Sequence, residues 1–249
     1  MGTATGRSSI RYNEGMSQKE KLEEELQKLG NPSKAKILSK FFKTGKGEYG
    51  EGDVFLGLTV PQQRKVAQKY PDLTLGELGK LLNSKIHECR LTALFVLMTK
   101  YKKANEPEKR KIFEFYLSNT QNINNWDLID LSAPSIIGDY LLDKDSFVLY
   151  KLAKSKILWE KRIAVLATYV FIRKGQFEEI LKIAEILLRD KHDLIHKAVG
   201  WMLREVGKRD QKTEEQFLQK YYQAMPRTML RYAIEKLTQE KRRFYLGKT

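Results

Sequence analysis

Residues 88–97 read ECRLTALFVL, residues 160–169 EKRIAVLATY, residues 195–203 IHKAVGWML and residues 229–237 MLRYAIEKL. Each stretch places a basic residue, Arg90, Arg162, Lys197 or Arg231, at the head of an apolar run with helical spacing. The last three anchors are separated by 35 and 34 residues, whereas Arg90 and Arg162 lie 72 apart, about two such periods. A further unit is therefore expected near residues 126–130. There the chain reads WDLIDLSAP, and Asp130-Leu-Ser-Ala133 aligns with Arg90-Leu-Thr-Ala93 without a gap. The resulting steps of 40, 32, 35 and 34 suit a two-helix repeat of the HEAT or armadillo kind, whose units bury their apolar faces only by stacking on one another. The expected fold is all-α, a curved α-solenoid of HEAT-like two-helix repeats with a basic concave face. Basic residues are frequent enough here to align by chance, but the small residues shared after the anchors, Ala93, Ala133, Ala164 and Ala198, favour true repeats.

No segment outside these stretches alternates with period two between hairpin turn signals. Helix breaks are expected at Gly30-Asn31-Pro32, at residues 45–52, Tyr70-Pro71-Asp72, Asn105-Glu106-Pro107, near Asp143, at Lys174-Gly175, around Asp190 to Asp193, near Arg209-Asp210 and at Met225-Pro226. Residues 1–15 read as a disordered leader and 16–249 as a single repeat domain. Ser17 and the charged run after it form a capped first helix. With 46 Lys and Arg against 31 Asp and Glu, the net charge is +15, which favours a polyanionic partner by long-range attraction. The single cysteine, Cys89, excludes an internal disulfide and reads as a buried structural thiol. Neither an 18-residue apolar run nor the apolar core of a signal peptide is present, so no membrane contact and a cytoplasmic, nucleoid-associated location are expected.

Asp130 is the exception among the anchors. A carboxylate in a row of cations opposes binding of a polyanion, and a cation developing on the ligand during reaction would give it a purpose. Trp126 lies four residues before Asp130 and Trp201 four after Lys197, which puts each ring on the face of its anchor. The rings suit an aromatic clamp against a sugar or base, and they equally suit the core. Trp159 reads as packing.

The run NNWDLIDLSAPSIIGDYL, then ILWEKRIAVLATY and HKAVGWMLREVGK, resembles the bacterial alkylpurine DNA glycosylases of the AlkD type, from about Asn31 to at least Leu237. The resemblance implies a HEAT-like repeat enzyme that removes positively charged N3- and N7-alkylpurines from duplex DNA by hydrolysing the N-glycosidic bond, acting on a base that stays stacked. It further implies that Asp130 is the catalytic carboxylate, that Trp126 and Trp201 are the site tryptophans, and that Arg162 contacts DNA. Phe41 falls where the family usually has tyrosine, keeping the ring and losing the hydroxyl. Lys197, Arg90 and Arg231 join Arg162 as expected phosphate contacts.

Other motifs carry less. GKGEYG, residues 45–50, has glycine spacing formally like a dinucleotide loop but lacks a preceding strand. His192 and His196 are four apart with no third ligand, so no metal site is expected. No cofactor and no obligate protein partner are expected. Two readings compete with the enzyme: a non-catalytic DNA-binding paralogue that recognises distorted or branched DNA, and a protein-binding scaffold, which should lack the steep salt dependence of duplex binding.

Overall fold

The computed structural model describes residues 15–247, so all but the last residue of the expected leader lies outside the described residues. Among those described, the regular structure is helical, apart from one isolated parallel bridge between Val54 and Ile86. In chain order the helices are α1 (Gln18–Lys28), α2 (Pro32–Phe41), α3 (Val60–Ala67), α4 (Leu75–Leu82), α5 (His87–Lys103), α6 (Glu106–Ser118), α7 (Trp126–Ala133), α8 (Asp139–Leu141), α9 (Phe147–Ala153), α10 (Leu158–Arg173), α11 (Glu178–Leu187), α12 (Asp193–Gly207), α13 (Gln211–Tyr221), α14 (Arg227–Ala233) and α15 (Gln239–Tyr245). The expected breaks separate helices as read. Loops at residues 119–125 and 154–157 were not expected; their signals are Asn, Thr and Ser rather than Gly and Pro.

Local chemistry sets many boundaries. Ser17 with Glu20, Thr74 with Glu77 and Asn105 with Glu108 form capping boxes, satisfying amide donors that a helix start leaves open. Pro134 interrupts the helix that begins at Trp126. Having no N–H, it cannot donate to the Asp130 carbonyl four residues back, and the chain passes through a π-helical turn over Pro134–Gly138 before α8.

The described residues divide into two compact units, 15–100 and 101–247, with the boundary inside α5. In the first unit, α1 packs on α3 and α4. The loop before α3 is tied to the start of α5 by Glu88, whose carboxylate accepts from the amides of Leu56, Gly57 and Leu58 at 2.9, 2.8 and 3.2 Å. Helix α2 buries no residue, and Ile37 and Phe41 are 66% and 61% exposed on it. Cys89 is buried, and desolvation pushes its thiol up to about 12, as a structural thiol requires.

The second unit is a two-row stack. In one row α7 packs on α10, α10 on α12 and α12 on α14; α9, α11 and α13 cover them as the second row. Ile129, Ile163, Ile195, Val199 and Met229 are fully buried between these helices. Two glycines allow close approach in the first row. A Cβ at Gly138 would sit 2.3 Å from the Ala167 carbonyl oxygen, and one at Gly200 would sit 2.4 Å from that of Met229. Helix pairs repeating in this way are the α-solenoid arrangement that the anchor spacing predicts.

Candidate active site

The anchors of the second unit occupy matching places. Asp130 is in the second turn of α7, Arg162 in that of α10, Lys197 in that of α12 and Arg231 in that of α14. Because each helix packs on the next, the anchors follow one another along one row. Their environments differ sharply.

Asp130 and Arg162 form a forked pair. Arg162 donates from Nε to Oδ1 at 2.8 Å and from Nη2 to Oδ2 at 2.7 Å, and its Nη1 donates to the Leu194 carbonyl at 2.7 Å. The Arg162 side chain is 6% exposed and that of Asp130 15%, so the acid keeps an opening to solvent that its partner lacks. Burial raises the Asp130 carboxyl above its usual range; the Arg162 guanidinium opposes this, and Asp127 adds to it. The fully buried Tyr116, which feels the Asp130 charge, shares a 2.8 Å hydrogen bond with Ser132, whose hydroxyl donates to the Leu128 carbonyl at 2.5 Å.

Each nitrogen of the Arg162 guanidinium thus donates inside the protein. Arg90 is enclosed in a similar way. It is 3% exposed, donating from Nη2 to Asp53 at 2.7 Å and from Nη1 to the Ser84 carbonyl at 2.9 Å. His87 completes that cluster through Nδ1, 3.1 Å from the other Asp53 oxygen.

Lys197 is half-buried and bridges to Asp193 at 2.6 Å, while Arg231 is exposed. Both indoles are partly exposed. The Trp201 ring lies 6.5 Å from that of Tyr169, at 40°. Glu205, one turn beyond Trp201, is buried, which raises its carboxyl; hydrogen bonds from Lys208, Arg209 and Trp201 outweigh that and leave it lowered. Phe41 belongs to the first unit and packs edge-on against Phe42 at 5.1 Å between centroids.

Sequence reasoning missed the partners of both arginines. Each acid lies about one repeat before its arginine, Asp53 before Arg90 by 37 residues and Asp130 before Arg162 by 32, and that recurrence was a readable signal. It also missed Leu194, whose carbonyl joins α12 to the pair. Among the described residues, no group of three or more His, Cys, Asp or Glu is placed to hold a metal, and no helix is long and apolar enough to cross a membrane.

Comparison with curated proteins finds no match. Among solved structures, one described as a predicted DNA alkylation repair enzyme from Enterococcus faecalis is similar, with a TM-score of 0.65 at 15% identity over 84% of this chain and 97% of that one. The crystal structure of smu.31 from Streptococcus mutans UA159 is similar with a TM-score of 0.52, also at 15% identity, over 89% of this chain and 100% of that one. At such identity these likenesses speak for the fold. A family model described as DNA alkylation repair enzyme matches residues 22–237, and this chain belongs to that family.

Proposed function

We propose that this protein is a monofunctional DNA glycosylase that hydrolyses the N-glycosidic bond of positively charged N3- and N7-alkylpurines in duplex DNA. The observation that carries the reading is Asp130: a carboxylate open to solvent, held by a two-point fork, in a row whose later members are Lys197 and Arg231. A carboxylate fixed before reaction pays no reorganisation cost when positive charge appears beside it.

The chemistry balances without a cofactor. The C1′–N bond breaks with its electron pair moving onto the cationic purine, which leaves neutral and so needs no protonation. The sugar becomes oxocarbenium-like, and Asp130 stabilises that charge and orients the water whose oxygen bonds to C1′, the water proton passing to the carboxylate and then to solvent. Trp126 and Trp201 would face the deoxyribose, and Lys197 and Arg231 the phosphates. Arg162 would hold Asp130 in place through its two hydrogen bonds.

The test is incubation of the purified protein with methylated duplex DNA and chromatography of the released bases; N3-methyladenine or N7-methylguanine is expected. The second reading, a non-catalytic DNA-binding paralogue for distorted or branched DNA, is favoured by the fork itself, since Arg162 gives Asp130 a purely structural account. Salt-sensitive DNA binding with no released base would establish it in place of the enzyme.

A further inference from the structure

The Leu194 carbonyl that holds Arg162 lies in the first turn of α12, and an unusual cap sets that turn. His192 is the N-cap residue, and its Nδ1 accepts from the Leu194 amide at 3.1 Å. The ring's own position is fixed in turn. The His192 amide donates to Asp190 Oδ1 at 2.8 Å, Lys161 from α10 engages the other Asp190 oxygen, and His196 Nε2 donates to the Asp190 carbonyl at 2.5 Å. Thus both residues of the histidine pair are spent on shaping residues 190–194, and Leu194 ends that loop with its amide on His192 and its carbonyl on Arg162 Nη1 at 2.7 Å.

We propose that His192 is a positioning residue: by capping α12 at Leu194 it places the carbonyl that anchors Arg162, and Arg162 in turn sets the orientation of the Asp130 carboxylate. The inference deepens the proposed reaction and rests on it for its kinetic readout. Two physical points support it. Nδ1 can accept only when it carries no proton, so imidazolium cannot make this cap. A positive ring at a helix N-terminus is also opposed by the helix dipole. The groups facing the ring are Asp190 and Asp193, which favour its charged form, and Lys161 and His196, which disfavour it; desolvation is the largest influence and lowers its pKa. The cap therefore stands near neutral pH and is lost on acidification, loosening Leu194 and with it the Arg162 fork.

The experiment uses the full chain and compares His192→Ala, which lacks an acceptor, with His192→Asn, a good cap that does not titrate. Single-turnover base release should fall in His192→Ala by up to about 100-fold, the cost of misplacing a reacting group by about an ångström. His192→Asn should restore most of that rate and flatten the histidine limb of its pH profile. A readout independent of the reaction is the titration of the Asp130 carboxyl followed by ¹³C NMR. In His192→Ala it should move upward by about one pH unit or more as the guanidinium loosens, and in His192→Asn it should match wild type. An unchanged Asp130 titration in folded His192→Ala, or a shift that Asn does not reverse, overturns the inference whatever the protein's activity. If Asp130→Asn is as active as wild type while the NMR result holds, the glycosylase reading fails and the positioning role stands.

Discussion

Each of the two units contains an aspartate paired with an arginine about one repeat further along, yet the pairs are built for different ends. Asp53 in the first unit is 7% exposed and is held by Arg90 on one oxygen and His87 on the other. Burial pushes its carboxyl up, but His87 and Arg90 more than offset this, and it sits below the usual range. Asp130 in the second unit has a single arginine on both oxygens and twice the exposure, and its carboxyl sits above the usual range. A low value in a sealed site marks a charge already satisfied. The raised value beside an opening fits the proposed role, because a carboxylate whose charge is incompletely compensated favours positive charge beside it.

The largest expected effect is on stability at the sealed pair. Arg90→Leu should lower the unfolding free energy by about 3–5 kcal/mol, because it strands a buried carboxylate. Arg162→Leu should cost less, since Asp130 can take a proton or water through its opening; chemical denaturation of both variants checks the contrast. Next comes the rate. Asp130→Asn should slow base release by about 100- to 1000-fold with DNA affinity retained, measured by single turnover and by binding titration. Asp53→Asn should leave the rate per folded molecule unchanged.

Acid should separate the pairs in order. The lowered Asp53 value contributes stability that is present above the unfolded value near 3.8 and lost as pH falls through the still lower folded value. The raised Asp130 value works in reverse: its stability contribution is present below 3.8 and lost as pH rises through the folded value, while its ionised, active form disappears as pH falls through that same value. On acidification, activity should vanish while circular dichroism still reports an intact fold. The smallest effects belong to the outer row members: Lys197→Ala and Arg231→Ala should each reduce the slope of log affinity against log salt by about 0.9, if each neutralises one phosphate.

The fold was legible because stacked repeats force corresponding residues into corresponding places, and the anchors preserve that spacing across the unexpected loops at 119–125 and 154–157. Asp130 stood out for the same reason. What the spacing could not convey was which cations are solvated. Arg90 and Arg231 have the same place in the pattern, but Arg90 meets Asp53, brought to it by a glycine-rich loop, while Arg231 faces solvent. A partner contributed by a loop leaves no helical period behind, only a distance to its arginine, 37 residues here against 32 for Asp130 and Arg162. His192 was equally opaque: its role depends on the geometry of one helix start, which two histidines four apart do not encode.

The two close-approach glycines give the row a fixed pitch. A methyl group at position 138 or 200 would meet main-chain oxygen, which cannot rotate away as a flexible side chain can, so the neighbouring helix itself must retreat. At 138 the retreating helix is the one that carries Arg162, and at 200 it is α14, which packs on the helix that supplies Leu194. A hydrogen atom in place of a methyl group at 138 thus gauges the distance across which the arginine must span, and Gly138→Ala would act on the acid from afar, as a spacer inserted between rungs of a ladder.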